Sequence, residues 1–94
     1  MNNVLSGKTI LVTGGAGSIG SEIVRQALKR EARRVIIFSR DETKHFWLKR
    51  EISDDRLETV VGDVRDAESL EGVFLRFDID IIYHAAAMKH VTLM

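Results

Sequence analysis

Ile10-Leu11-Val12-Thr13-Gly14-Gly15-Ala16-Gly17-Ser18-Ile19-Gly20-Ser21-Glu22 is the stretch that decides the fold. Ile10, Leu11 and Val12 are apolar at consecutive positions, so they suit both faces of a strand. That is the pattern of a parallel strand covered by helices on either side. Gly14, Gly17 and Gly20 then follow at G-x-x-G-x-x-G spacing, and an amphipathic run from Ile19 to Leu28 leads away. A strand, a glycine turn and a helix in that order suit a dinucleotide pyrophosphate. The helix N-terminus offers unpaired N–H groups and partial positive charge, and the glycines let the backbone approach the phosphates. The phosphate loop of nucleotide hydrolases is a poor match. It needs Gly-Lys-Ser/Thr, and Gly20 is followed by Ser21-Glu22, a carboxylate where a lysine should reach the phosphates.

Working outward, Lys8 to Thr13 is the first expected strand. The helix from about Ser18 to Arg30 is expected to bury Ile19, Ile23, Ala27 and Leu28 and to expose Glu22, Arg25, Gln26, Lys29 and Arg30. Arg34 to Ser39 reads as a second buried strand. Asp41 then caps a helix running to about Ile52, whose apolar residues Phe46, Trp47, Leu48 and Ile52 do not define one clear face. Leu57 to Val61 is a third strand and Gly62-Asp63-Val64 a turn. Asp66 caps a third helix carrying Leu70, Val73, Phe74 and Phe77 at i, i+3, i+4 and i+7. Asp80 to His84 is a fourth strand, Ala85-Ala86-Ala87 a tight exit, and a further helix is expected from near Lys89. The β-α-β-α-β-α-β alternation implies an α/β fold, a partial Rossmann-type doubly wound parallel sheet of four strands in order 3-2-1-4. The order reverses between strands 1 and 4, which places a crevice above their carboxyl ends.

Composition narrows the function classes. The 94 residues suit one small domain or part of a larger one, and 45% apolar content provides for a core. Fourteen basic residues balance fourteen acidic ones, which argues against a nucleic-acid binder driven by bulk charge but not against one phosphorylated small ligand. There is no cysteine, hence no disulfide framework or thiolate metal site, a composition compatible with a cytoplasmic location. No apolar run approaches the roughly 18 residues of a membrane span, and Met1-Asn2-Asn3 does not open a signal peptide. No repeat or linker is visible.

The end of strand 2 is where a ribose is read. An acidic residue there accepts from a 2′-hydroxyl and favours NAD, whereas a basic one pairs with a 2′-phosphate. Arg40 follows Ser39 directly and Lys44 lies one turn beyond Asp41. Arg40 offers a forked, charge-assisted donor set, which favours NADP; Asp41 can still read a ribose, which keeps NAD open. Asp63 can accept from an adenine amino group with Val64 against the ring, or serve only the turn. His45 is placed on a surface helix and His84 is a polar residue at a strand end. His90, beside Lys89, is either solvated or turned to the crevice. No carboxylate stands at ligand spacing, so no metal is expected.

Taken together, Thr13 to Glu22, Ser39-Arg40-Asp41-Glu42, Gly62-Asp63-Val64-Arg65-Asp66 and His84-Ala85-Ala86-Ala87-Met88-Lys89-His90-Val91 resemble the extended short-chain dehydrogenase/reductase superfamily. The nearest resemblance is to its CapD-like polysaccharide-biosynthesis group, which includes NADP-linked UDP-N-acetylglucosamine 4,6-dehydratases. The pieces run in the right order over nearly the whole chain; Thr92 departs from the proline common after the valine. The resemblance implies that Gly14, Gly17, Ser18, Ile19 and Gly20 hold the pyrophosphate. Arg40, Asp41 and Lys44 would surround the adenosine ribose and its phosphate, and Asp63 and Val64 would contact adenine. Ala85 and Ala87 would line the cofactor, with Lys89 near the nicotinamide.

The resemblance also implies a Tyr-x-x-x-Lys pair for proton chemistry. The one tyrosine, Tyr83, is followed four residues later by Ala87. Residues 1–94 are therefore expected to be the N-terminal part of a dinucleotide-binding domain, without the catalytic and sugar-nucleotide regions and with no activity alone. The implied enzyme is a sugar-nucleotide dehydratase (a lyase), in which hydride leaves sugar C4 for NADP, water is lost across C5–C6 and hydride returns to C6. A UDP-sugar 4-epimerase or reductase, or a non-catalytic dinucleotide-binding module, are the alternatives. The UDP-sugar would be a partner only of the full-length enzyme. With its strand 4 edge exposed, this piece alone would either self-associate through that strand into a homo-oligomer or be marginally stable.

Overall fold

Alternating apolar strands and amphipathic helices fold as the chain order requires. The computed structural model describes residues 4–14 and 17–85. Its elements are β1 (Thr9–Thr13), α1 (Ser18–Lys29), β2 (Arg34–Ser39), α2 (Glu42–Ile52), β3 (Leu57–Val61), α3 (Ala67–Arg76) and β4 (Ile81–His84). The strands form one sheet in the order β3-β2-β1-β4, with all three pairings parallel. The expected α/β class, strand number and 3-2-1-4 order are therefore all present. The further helix expected from Lys89 lies outside the described residues.

Side-chain alternation divides the core into two layers. Ile10 and Val12 of β1 and Val35 and Ile37 of β2 face α1 and α2, packing with Val24, Ala27, Leu28 and Leu48. Leu11, Ile36 and Phe38 face the other way, against Val73 and Phe77 at α3. Both layers need β1 buried along its whole length, and it is. β4 alternates between half-buried and exposed positions, because among the described residues it pairs with β1 alone. Among the described residues no helix is long and apolar enough to cross a membrane.

Local chemistry sets the element ends. Asp41 Oδ1 accepts from the Lys44 N–H at 3.1 Å to cap α2, and Asp66 Oδ1 accepts from the Glu68 N–H at 3.1 Å to cap α3. Caps of this kind contribute about 1 kcal/mol each. Asp80 lies just before β4, not inside it as expected. Its N–H donates to the Thr9 carbonyl and its carboxylate accepts from the Thr9 N–H at 2.8 Å, which fixes β4 in register with β1. Arg56 donates to both oxygens of Asp54 and to the Ala32 carbonyl at 3.1 Å, tying the entry of β3 to the loop before β2.

Two helix faces differ from expectation. In α1 the buried residues are Gly20, Val24, Ala27 and Leu28, whereas Ile19 is 41% exposed. Ile19 stands in the first turn, above the strand ends, where the sheet no longer lies beneath it. At α3, Val73 and the C-cap residue Phe77 are buried as the period demands, but Phe74 is 42% exposed. The helix meets the sheet along a narrower stripe than the i, i+3, i+4, i+7 pattern defines.

Candidate dinucleotide site

The carboxyl ends of all four strands open onto one cavity of about 770 Å³. That is within the range of small-molecule and cofactor sites. Thr13 and Gly14 close β1, Phe38 to Asp41 close β2, Gly62 to Arg65 follow β3, and His84 and Ala85 close β4. Gly17 to Gly20 enter from the start of α1. A parallel sheet produces this convergence by itself, since every strand delivers its carboxyl end to the same edge.

The glycine turn needs its glycines for different reasons. Gly14 has φ +70°, a left-handed conformation that side chains rarely adopt, and its N–H donates to the Phe38 carbonyl at 2.9 Å. Gly17 is the N-cap of α1 at φ −80°, with no side-chain cap. A Cβ at Gly17 would meet nothing within 4 Å among the described residues, its chain neighbours aside, so the space it leaves belongs to the cavity. α1 has no acidic residue in its first turn. In α2 and α3 an aspartate caps the helix and a glutamate occupies the first turn. The helix end facing the cavity is thus the one whose partial positive charge no carboxylate offsets, an arrangement suited to an anion.

Charge gathers at the β2–β3 side. Arg40, Lys44 and Arg65 line the cavity with Asp41 and Asp63, three cations against two carboxylates. Asp63 accepts from Arg65 at 2.8 Å, and Arg40 Nη1 lies 3.7 Å away on the same carboxylate. The Arg65 hydrogen bonds, with help from its backbone N–H and from the charge of Arg40, hold Asp63 down at about 2. Arg40 is 70% exposed. Its single long contact among the described residues leaves the guanidinium fork available to a ligand. Asp41 is committed through Oδ1 to capping α2.

Every expected site residue that the structure describes lines this cavity: Gly14, Gly17, Ser18, Ile19, Gly20, Arg40, Asp41, Lys44, Asp63, Val64 and Ala85. Ala87 and Lys89 lie outside the described residues. Thr13, Phe38, Ser39, Gly62, Arg65 and His84 join them. Their common signal was position at a strand end or in the turn that follows it. His84 Nδ1 lies 2.8 Å from Thr13 Oγ1, so it is a hydrogen-bonded polar residue, as expected.

His45 is the correction. Placed from sequence on a surface helix, it is 3% exposed, with Nε2 2.6 Å from Ser39 Oγ and Nδ1 buried without a partner among the described residues. Burial pushes its pKa below 6.5, while Asp41 and Glu42 pull it back upward. The helical period could not show this, because Phe46 and Trp47, the larger apolar residues, are the exposed ones.

A match to the family described as "Polysaccharide biosynthesis protein" covers residues 10–94. The chain belongs to this CapD-like family of extended short-chain dehydrogenases/reductases. It is 43% identical over 89 residues to an inverting UDP-N-acetylglucosamine 4,6-dehydratase of Campylobacter jejuni, covering 94% of this chain and 26% of that protein. It is 35% identical over 88 residues to a UDP-glucose 4-epimerase of Rickettsia bellii, covering 89% and 25%. The chain therefore spans about a quarter of the length of these relatives. Among solved structures, a short-chain dehydrogenase of Leptospira borgpetersenii with bound NAD+ matches with a TM-score of 0.68 at 28% identity, over 83% of this chain and 30% of that one. The yeast methylglyoxal/isovaleraldehyde reductase complexed with NADPH matches with a TM-score of 0.71 at 26% identity, over 81% and 23%. Structural neighbours in this superfamily thus bind both forms of the cofactor. This family member carries the dinucleotide-binding part of the fold.

The charge pairs of this CapD-like chain predict its acid response. Asp54, hydrogen-bonded by the Arg56 side chain and backbone, is lowered from 3.8 to about 2. A depressed folded-state value contributes stability above the unfolded value that is lost as pH falls through the folded one. Asp54 and Asp63 therefore withdraw stability between about pH 4 and 2. His45, also depressed, withdraws its share first, as pH falls below 6.5. Urea melts from pH 8 to 2 should show both losses, with the upper one missing in His45→Gln. Constant stability from pH 7 to 5 would contradict the buried state of His45.

Proposed function

We propose that the chain is the NADP-binding portion of a nucleotide-sugar 4,6-dehydratase of the UDP-N-acetylglucosamine type, serving polysaccharide biosynthesis and inactive alone. The observation that carries the cofactor assignment is Arg40, an exposed guanidinium at the rim of the cavity where β2 ends. Lys44 stands one helical turn beyond the Asp41 cap. A fork and an ammonium suit a 2′-phosphate, a dianion with only acceptor oxygens. The α1 N-terminus with Gly14, Gly17, Ser18, Ile19 and Gly20 takes the pyrophosphate, and Asp63 with Val64 takes the adenine. Bound there, the nicotinamide supplies hydride-transfer chemistry. This chain's contribution is to hold and orient the dinucleotide.

Similarity to the Campylobacter dehydratase supports the substrate class, and similarity to the Rickettsia epimerase supports a UDP-sugar 4-epimerase as the second reading. Tyr83 supplies no proton chemistry to the site: its side chain packs against the α1 core layer, away from the cavity lining.

Calorimetric titration tests the cofactor assignment. NADP should bind at least about tenfold more tightly than NAD, a charge-assisted pairing of about 1.5 kcal/mol, and Arg40→Ala should bring the two together. Preference for NAD would refute it. Incubated with NADP and UDP-N-acetylglucosamine, the chain alone should leave the sugar unchanged by NMR. Turnover would overturn the reading of these residues as the binding portion only. Within a longer protein bearing this segment, a 4-keto-6-deoxy product identifies the dehydratase and a C4 epimer the alternative.

A further inference from the structure

His45 and Ser39 form a couple that the cofactor assignment does not use. Ser39 is the last residue of β2 and lines the cavity beside Arg40. His45 stands in the first helical turns of α2, almost completely buried behind it. The two meet through Nε2 and Oγ at 2.6 Å. Nδ1, on the other side of the ring, is buried with no hydrogen-bond partner among the described residues.

The contact allows two proton arrangements, and the buried Nδ1 chooses between them. If Ser39 donates to Nε2, Nδ1 carries the ring proton and a buried N–H faces no acceptor. If Nε2–H donates to Ser39 Oγ, Nδ1 presents only a lone pair. Orphaned buried N–H groups are the rarer and costlier of the two. A hydroxyl has one proton and two lone pairs. Once Oγ accepts from His45, its own proton is free to point into the cavity.

We propose that His45 is a positioning residue: as the Nε2–H tautomer it fixes Ser39 as a hydrogen-bond donor toward the 2′-phosphate of the dinucleotide. The inference rests on the proposed NADP site and adds to it a specificity element that touches no ligand. A hydroxyl turned outward as a donor completes the cationic rim of Arg40 and Lys44, which likewise only donate. The reverse arrangement would offer oxygen lone pairs to an anion and repel it.

Two measurements test this. Long-range proton–nitrogen correlation NMR on the unliganded chain at neutral pH should show His45 protonated at Nε2 and bare at Nδ1. Titrations with NADP and NAD should show Ser39→Ala and His45→Leu each losing about tenfold in NADP affinity, the scale of one hydrogen bond to a charged group. NAD affinity should stay within about threefold. His45→Gln, whose terminal amide can donate to Ser39 from the same place, should restore NADP binding to near the parent value. An Nδ1–H tautomer would overturn the inference, as would equal weakening of NADP and NAD in the variants, which marks a merely structural role. Should His45→Leu fail to fold, the tautomer and Ser39→Ala decide. Failure of the parent chain to bind NADP would refute the proposed cofactor, whereas normal parent binding with unchanged specificity in Ser39→Ala would refute the role of His45 alone.

Discussion

Gly17→Val is expected to weaken NADP binding by about 100-fold while leaving the fold intact, because the added bulk breaks one or two charge-assisted hydrogen bonds from the α1 N–H groups to the pyrophosphate, together about 3 kcal/mol. Gly17 is the cleanest probe of the turn. Its φ of −80° is open to any residue, so valine introduces no backbone strain there. A Cβ at this position meets no atom of another described residue within 4 Å, its chain neighbours aside, so the added bulk enters the cavity and stands where a pyrophosphate would approach the α1 N–H groups. Valine is a poorer N-cap than glycine by about 1 kcal/mol, which lowers the melting temperature by about 4–8 °C in a domain of this size. Gly14 would be a worse choice, since its φ of +70° couples any substitution to folding strain. Calorimetry paired with thermal melting checks the prediction. Undiminished NADP affinity in a folded Gly17→Val chain would remove the turn from the site.

The second large effect falls on stability. Gly62→Ala should cost about 1–3 kcal/mol, the range for overpacking a dense core. The added methyl would sit 2.5 Å from Phe38 Cε1 and 2.6 Å from Cζ. Phe38 is fully buried between β2 and α3, so its ring cannot swing aside as an exposed side chain would. Phe38→Leu on the Gly62→Ala background removes the ring atoms responsible. The two changes should therefore be non-additive, with the double variant more stable than the sum of the single losses. Chemical denaturation of the four chains gives the coupling directly. Simple additivity would mean that Gly62 is not held against Phe38. Because Gly62 and Phe38 also line the cavity, this packing sets the floor of the site.

The layout was legible in the sequence where one signal dominated. Ile10-Leu11-Val12 and Val35-Ile36-Ile37-Phe38 are apolar at every position, short β-branched-rich runs of the kind that strands covered on both faces use. Chain order then dictated a parallel sheet, and the sheet dictated where the glycine turn, Arg40 and Asp63 would meet. Asp41 and Asp66 announced their helices because a capping carboxylate works locally. Legibility failed where burial depends on what lies beneath a helix. Ile19 is apolar and in phase with the buried face of α1, yet it overhangs the strand ends and lines the cavity. In α2 the apolar residues Phe46, Trp47, Leu48 and Ile52 defined no single face, and nothing in the pattern marked Phe46 and Trp47 as the outer ones. Those two stand exposed, edge to face at 5.3 Å, with Arg50 over both rings. The polar His45 goes inside because Ser39 receives it, a partnership across six residues that no helical period encodes.

The central claim is that the strand ends and the α1 N-terminus form one dinucleotide site with its 2′-phosphate at Arg40. Amide chemical-shift mapping of the chain titrated with NADP tests it most directly. The account predicts large shifts at Gly14, at Gly17 to Ser21 and at Asp63 and Val64. Shifts at Arg40 to Lys44 should be larger with NADP than with NAD. Saturation with NADP that leaves Gly14 and Gly17 to Ser21 unmoved, or that perturbs Arg40 no more than NAD does, would contradict it.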